Sequence, residues 1–564
     1  MITVGIHHGP HDGSVALLKN GEVLFHLQGE RLSNIKHDYS SVQVLNYIKK
    51  YTKHIDNVVV TGAHRFYQMG QGTPAHIPEM YLFYLKRLTK EFSQSNIKYY
   101  EFFDNHHQIH AFTSFYNSGF DEALGIVIDG MGSAVPINYS SDIGSLYGFD
   151  GRETKSAFLM SYPNLSKLIE CQVSSPGSYN LPNKKNWLND TTYVLKSFSE
   201  AMAYQGAAIE FGFTEFGAGK VMGMAPYGTP GEFKEDIVID GLVNQNMFVP
   251  GDGGIGSVKY AGTPIGEYFQ DKANFAYKLQ KDVEQSVLDY TMSLIEKTGQ
   301  KNVCFSGGFF LNCVSNYNML KKLPKDVKIY VEPLCSDVGN SIGAAKYLYY
   351  SLSKSNIKSL QNNLYYGPKY NYSLNDLEKE KVIKNIRPEH VAKLISEKNI
   401  VAIYQGGSES GPRALGNRSI LYDPRDPNGK THVNKVKRRE WFRPFAGSVL
   451  QENAKDWFDL QGMNESKSMM YAVDVVENKK EIIPAITHVD GTCRVQTVSK
   501  TDNPIFYKLI EEFFKITGVP ILFNTSFNLA EQAIVETLED ALWTIHNSDI
   551  MYLYLPELEV LVTK

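Results

Sequence analysis

Three histidines fall in the run Asn105-His106-His107-Gln108-Ile109-His110, with His106 and His110 four residues apart. On a helix that spacing puts both imidazoles on one face, where they can share a transition metal; His107 offers an alternative pairing at three. Oxygen donors would complete the set. Asp129 closes the apolar run Ala123 to Ile128 and Asp337 follows Cys335-Ser336, each in a loop after a strand-like segment. Converging across a cleft, the four would form a two-histidine, two-carboxylate site suited to iron, manganese or zinc. The plainer role for each aspartate is to cap the helix that follows it.

A second kind of chemistry is suggested by glycine turns that follow strands: Asp129 to Gly132, with Gly130 and Gly132; Ser306-Gly307-Gly308; and Ser336 to Gly339. Such turns can leave backbone N–H groups free for a phosphate or let an adenosine approach closely, or they can simply turn the chain. A third signal is local charge. Between Arg413 and Arg443 stand nine Lys or Arg against three Asp or Glu, interleaved with Gly, Pro and aromatics rather than set at helical spacing. A solvated face is the ordinary fate of a basic run; the planar guanidinium's bidentate match to phosphate favours a pocket for phosphorylated substrates. Ser526 and Asn528, in Asn524-Thr525-Ser526-Phe527-Asn528 after an apolar strand, offer hydroxyl and amide groups to a small carbonyl or phosphate. Near the start, His11 is placed as a general base, and Lys36 as a cation that steadies developing negative charge; as isolated loop residues they have structural roles instead.

The elements that must position these groups alternate. A strand Thr3 to Ile6 leads into a hairpin whose Asn20-Gly21 pair signals a type I′ turn. A helix over Val42 to Tyr51, strands Asp56 to Thr61 and Lys98 to Phe103, and Asn105 as a helix N-cap follow. A second cycle runs through the helix Asn274 to Lys297, the strands Asn302 to Phe305 and Val327 to Val331, and a helix through Gly343-Ala344-Ala345. Ser140 to Gly266 reads as insertions around an active-site cleft. Composition shifts to Ser, Lys, Asn and Tyr between Ser351 and Asn375, which marks the domain break. Beyond it come helices His390 to Glu397, Pro504 to Ile516 and Thr537 to His546, and strands Ile400 to Tyr404, Val519 to Phe523 and Ile550 to Tyr554. The basic stretch reads as mainly loop.

Composition narrows the partners. The 564 residues carry 57 Lys and Arg against 61 Asp and Glu, a net charge of −4, so no global field recruits nucleic acid or anionic membrane. Five cysteines without a CxxC pair suggest neither a disulfide framework nor a zinc ribbon and fit a reducing cytoplasm. No basic leader and no run of eighteen apolar residues suggests a membrane or secretory segment.

Taken in order, HDGSVALL, ERLSNIKHD, HHQIHA, VIDGMG, GKVMGMAPYG, SGGFFLN, SDVGNSIGAA, SGPRALGNRSIL, KRREWFRPF and NTSFN resemble the NodU/CmcH/TobZ-type O-carbamoyltransferases over nearly the whole chain. The resemblance implies an α/β fold: a duplicated actin-hexokinase-like (ribonuclease H-like) domain with insertions over 1–355, related to tRNA threonylcarbamoyl transferases, then a YrdC-like α/β domain over 365–564. It implies carbamoyl-adenylate formation from carbamoyl phosphate and ATP, with Mg2+, in the second domain. In the first, the carbamoyl group passes to an acceptor hydroxyl of a natural product, sugar or modified nucleoside. Fe2+, or Mn2+ or Zn2+, would be held by His106, His110, Asp129 and Asp337, and His11 would deprotonate the acceptor. The nucleotide would contact Gly130, Gly132, Gly307, Gly308 and Asn312. Arg413, Arg418, Lys437, Arg439 and Arg443 would hold phosphates beside Ser526 and Asn528. His7, His8 and the segment Phe216 to Gly219 depart from the family's usual residues, which leaves the acceptor open. Hydroxymethyl pyrimidine DNA is the alternative acceptor, with Leu85-Lys86-Arg87 and Lys184-Lys185-Asn186-Trp187 as basic aromatic segments. A nucleotide-binding scaffold without transfer chemistry is the alternative class, and a homodimer is compatible with either.

Overall fold

A computed structural model describes residues 1–62, 77–88, 90–94, 96–135, 151–174, 192–195, 198–239, 241–250, 258–361 and 363–564. The chain divides into two compact units, the first made of Met1–Leu24 and Tyr39–Leu360, the second of Phe25–Asp38 and Gln361–Lys564. The division after Leu360 lies in the stretch where composition shifts. Phe25–Asp38, which the sequence reading kept with the first domain, is held in the second by specific bonds. Buried Arg31 donates to the carbonyls of Glu409 (3.1 Å) and Gly411 (2.8 Å), and His26 Nδ1 lies 2.9 Å from Ser410 Oγ.

The first unit repeats one topology. Strands β1 (Ile2–His7), β2 (Ser14–Lys19), β3 (Glu22–Gln28), β4 (Asn57–Thr61) and β5 (Lys98–Phe102) form a sheet ordered β3-β2-β1-β4-β5. Asn20 and Gly21 both take positive φ, 50° and 83°, as the expected type I′ turn between β2 and β3 requires. After helix α1 (His106–Ser118) come β6 (Glu122–Ile128), β7 (Gly151–Ser161), β8 (Leu165–Ser174), β9 (Asn302–Ser306) and β10 (Lys328–Val331), in the order β8-β7-β6-β9-β10. In each sheet the first strand pairs antiparallel with the second and parallel with the fourth, and the fifth extends the parallel side. These are the two ribonuclease H-like halves of an actin-hexokinase-like fold. Helices α2 (Glu200–Glu210), α3 (Ala218–Met224), α4 (Phe269–Thr298), α5 (Cys313–Lys322) and α6 (Asn340–Ser353) complete the part that positions the site. α1 and α6 pack at close range: a Cβ on Gly343 would stand 2.0 Å from Thr113 Oγ1.

Three sequence expectations change here. Gly151–Ser174, read as insertion, supplies two strands of the repeat; register shifts at Glu153/Lys155 and Ala157/Phe158 blur the period-two pattern. The segment Val42 to Tyr51 contains a 3-10 helix, Gln43–Lys50. Asn105 sits at the N-cap of α1, but its side chain donates to Gln108 Oε1 (2.9 Å) instead of accepting a cap bond.

The second unit is a mixed α/β body. Strands β11 (Lys381–Lys384), β12 (Val401–Tyr404), β13 (Arg418–Tyr422), β14 (Ala446–Leu450), β15 (Ala472–Asp474), β16 (Thr492–Val498), β17 (Ile521–Ser526), β18 (Tyr552–Leu555) and β19 (Val560–Thr563) form one sheet, ordered β11-β19-β18-β12-β13-β17-β14-β16-β15. Helices α7 (Pro388–Ser396), α8 (Gly429–Val436), α9 (Pro504–Thr517) and α10 (Leu538–His546) accompany it. The basic stretch read as loop contributes β13 and α8. Every residue of β13 is buried, so its face pattern is continuous rather than alternating. Among the described residues no helix is long and apolar enough to cross a membrane.

Candidate metal centre and phosphate site

Every donor of the first cluster comes from a strand end or the helix that follows one. α1 begins after β5 and turns His106 and His110 to one side, Asp129 follows β6, and Asp337 lies in the loop after β10. One ligand atom from each of the four lies within 4.8 Å of all the others. The Nε2 atoms of His106 and His110 are 3.2 Å apart, and Asp337 Oδ1 lies 3.3 Å and 3.1 Å from them. Asp129 Oδ2 stands 3.4 Å from His106 Nε2. Ligands about 2.1 Å from one tetrahedral ion are roughly 3.4 Å apart, so the spacing is that of donors around a single cation. Gly308 N donates to the other Asp129 oxygen (2.8 Å), and Ser306 Oγ lies 3.3 Å from His110 Nδ1, which fixes both orientations.

The electrostatics agree with a cation at the centre. Burial disfavours charge on all of these groups, yet the charge of Asp337 and hydrogen bonds to Asp129 and Asp337 raise His106 to about 10. Asp129 is also buried, but its bond to His106 and the charges of His110 and His106 together outweigh that burial and the nearby charge of Asp337 and draw it down to about 2. Asp337 is likewise held well below the usual carboxylate range, by His106 and His7. Buried carboxylates and imidazoles locked this way accept a proton or a metal, and the mixed nitrogen and oxygen set fits Fe, Mn or Zn. His107 takes no part in the set. Its Nδ1 meets Ser156 Oγ at 2.8 Å, and burial together with the charge of His106 keeps it neutral.

His11 is partly exposed and its Nδ1 lies 3.0 Å from Asp12 Oδ2. Burial lowers its pKa, but the Asp12 bond and the charges of Asp337, Asp12 and Asp129 prevail and raise it to about 9. The ring of Phe216 packs edge-on against it, with centroids 5.4 Å apart.

The glycine turns need correction. Gly132 N donates to Glu153 O (2.7 Å), Gly307 N to Cys335 O (2.8 Å) and Gly308 N to Asp129, so these three N–H groups are taken by the protein itself. Gly307 is required by its φ of +99° and by Ile128 O, which a Cβ would meet at 2.2 Å. Gly130 keeps open space around its Cα. Asn312 is the N-cap of α5: its Oδ1 accepts from Ser315 N (3.0 Å) and its amide donates to Tyr204 and Gln280, so its polar atoms serve the fold.

In the second unit the arginines separate by burial. Arg418 is fully buried, lies over Tyr404 at 3.8 Å, and donates to the carbonyls of Gln405, Asn417, Gly406 and Glu536. It ties strands together and has no guanidinium edge for phosphate, contrary to expectation. The ammonium of Lys437 is taken by Ser526 O, Asn528 O (2.8 Å) and Asn528 Oδ1 (2.9 Å); it props the Ser526–Asn528 turn instead of facing a phosphate. Burial, then the charges of Arg439, Arg443 and Lys36, depress its pKa strongly. Lys36 falls in the second unit, where its charge is one of those that bear on Lys437.

Arg439 and Arg443 are half-buried and remain charged, but burial lowers both, and the charge of Arg443 lowers Arg439 further. Arg494 on β16 adds to that field. The sequence reading missed it, since in Gly491-Thr492-Cys493-Arg494 it looks like one polar position of an alternating strand; its Nε is buried without a hydrogen-bond partner. Glu440 (3.5 Å from Arg443) and Glu531 give partial balance. Arg413 is half-buried in the loop before β13. Like charges held this close are relieved by an anion. Ser526 Oγ donates to Asn528 Oδ1 (2.7 Å), within the turn that Lys437 props. Of the suggested nucleic-acid segments, Lys86 and Arg87 lie on the helix Ile77–Leu88, where Arg87 covers Phe83 at 4.7 Å; Lys184 to Trp187 lie outside the described residues.

Comparison with known proteins identifies the family. Residues 256–346 match the family described as Carbamoyltransferase N-terminus and residues 392–563 the one described as Carbamoyltransferase C-terminus. Nodulation protein NolNO of Sinorhizobium fredii is 32% identical over 96% of this chain and 77% of its own length. Nodulation protein NolO of Bradyrhizobium diazoefficiens is 32% identical over 79% and 76%. The chain belongs to the carbamoyltransferase family. Among solved structures, full-length HypF in a phosphate- and nucleotide-bound form is similar at 14% identity, covering 64% of this chain and 56% of that one with a TM-score of 0.34.

Proposed function

We propose that the protein is an ATP- and carbamoyl-phosphate-dependent O-carbamoyltransferase with one chemical step in each unit. The observation that carries this reading is the coexistence, in a member of this family, of a four-donor metal cluster in one unit and a crowded guanidinium group beside a Ser/Asn turn in the other. Arg439, Arg443 and Arg494 hold the phosphates of carbamoyl phosphate and ATP, and Ser526 with Asn528 orients the carbamoyl end. In this YrdC-like site, water cleaves carbamoyl phosphate to carbamate and phosphate. A carbamate oxygen then attacks the α-phosphorus of ATP and expels pyrophosphate. The product is an acyl donor with AMP as leaving group, and shielding it from water prevents its loss.

In the first unit His106, His110, Asp129 and Asp337 hold a divalent metal, Fe2+ by the family resemblance, which when bound supplies Lewis-acid stabilisation of developing negative charge. His11 takes the proton of the acceptor hydroxyl as that oxygen attacks the carbamoyl carbon and AMP departs. A base must be neutral to do this, and Asp129 and Asp337 are two of the three carboxylates that hold the His11 proton. Once a cation answers their charge, Asp12 remains to orient the ring.

The half-reactions separate the two sites. His106→Ala should abolish carbamoyl transfer while leaving carbamoyl-phosphate-dependent pyrophosphate release near the wild-type rate. If it eliminated both, the assignment of one step to each unit would fail.

A further inference from the structure

We infer that His7 is a positioning residue of the metal centre: it holds the outer oxygen of Asp337 so that the inner oxygen faces His106 and His110. The inference rests on the proposed metal site and concerns a residue outside its four donors. His7 is the last residue of β1 and is fully buried. Its Nε2 lies 3.2 Å from Asp337 Oδ2, while Asp337 Oδ1 is the oxygen shared by His106 and His110. Among the described residues neither His7 ring nitrogen makes an aligned hydrogen bond, so Asp337 Oδ2 meets Nε2 as a close polar contact on an otherwise unsatisfied buried ring. A buried imidazole at that distance from one oxygen of a ligating carboxylate fixes which oxygen the metal receives.

The fold explains why β1 delivers the ring there. Side chains alternate along a strand, so Gly5 and His7 share a face. At Gly5 that face meets α6 so closely that a Cβ would stand 2.0 Å from Ser341 O. Ser14, paired with His7 across the β1–β2 ladder, donates to Val338 O at 2.9 Å. The strand end is thus pinned against the turn that starts at Asp337. Gly9 closes the other side: a Cβ there would come within 2.7 Å of His7 Nε2, so the loop folds over the ring. His7 is not among the donors that lie within 4.8 Å of one another, which separates it from the ligand set.

The test titrates the full-length protein, freed of metal, with Co2+ against a chelator, reading the dissociation constant and the intensity of the visible cobalt bands, which reports coordination number. His7→Phe should weaken Co2+ binding roughly 10–100-fold without changing that intensity. His7→Gln, whose amide nitrogen reaches about as far as Nε2, should restore affinity to within a few-fold, and His7→Asn, which stops near Nδ1, should not. The Gln and Asn pair decides the matter should the Phe variant fail to fold. Unchanged affinity in both His7→Phe and His7→Asn would reduce His7 to packing. A changed coordination number would make it a ligand instead. Either result overturns the proposal. Wild-type protein that takes up no Co2+ would overturn the metal site itself, a failure distinguishable from the others.

Discussion

Arg418 and Arg443 belong to the same basic stretch and do opposite things. Arg418 satisfies four backbone carbonyls in the interior, so replacing it leaves buried acceptors unpaired. Arg418→Met should lower stability by on the order of 3–5 kcal/mol, read as a fall in the urea midpoint. Arg443 is half-buried among like charges, with Glu440 its ion-pair partner. Arg443→Gln should raise the KM for carbamoyl phosphate or ATP roughly 10–100-fold with little change in the urea midpoint. Equal effects of the two substitutions on stability and KM would contradict the division. Residue type alone does not separate them. What distinguishes them is burial, and a run of mixed Gly, Pro and Arg carries no period from which burial can be read. The HxxxH pair is the contrasting case: helix geometry places residues four apart on one face whatever surrounds them, so the pairing is visible before any fold is known.

At the scale of elements, the helix α1 that carries His106 and His110 is tied to its neighbours by a buried polar chain. Asn117 on α1 donates to Glu332 after β10 (2.9 Å) and accepts from Lys346 on α6 (2.6 Å). Burial raises the Glu332 carboxyl from 4.5 to about 7 and lowers Lys346 from 10.5 to about 7. An acid whose folded pKa exceeds its unfolded value binds its proton more tightly when folded. Its contribution is therefore complete below about 4.5 and is lost as pH rises through about 7. Lys346 stays protonated in both states over most of that window and starts to lose its folded-state proton only as pH nears 7, so the slope below that belongs to Glu332. Glu332→Gln should flatten it by on the order of 3 kcal/mol between pH 4.5 and 7, whatever its fixed offset, as read from urea midpoints of variant and wild type. A parallel pH profile for both proteins would show that Glu332 stays ionised in the fold. Elements are also where sequence patterns mislead. Period and turn chemistry reveal β1, β6, α1 and the Asn20-Gly21 hairpin. The bulges of β7 and β8 disguise two core strands as insertion. The glycine turns mislead for a related reason: whether the N–H of Gly307 is free depends on Cys335 O, twenty-eight positions on and adjacent only after folding.

The whole molecule joins a duplicated α/β unit and a nine-stranded α/β unit, each with buried charge of a different kind. A net charge of −4 hides this: the carboxylates proposed to hold a cation lie in one unit, and the guanidiniums proposed to hold phosphates lie in the other. That division is the physical basis for assigning activation and transfer to separate sites in one chain of this family. The most direct test is pyrophosphate release from ATP by the full-length protein, measured with and without carbamoyl phosphate and without any acceptor. The account predicts release only when carbamoyl phosphate is present, accompanied by carbamoyl-adenylate detectable by mass spectrometry. Pyrophosphate release that ignores carbamoyl phosphate, or its absence when both substrates are supplied, would contradict it.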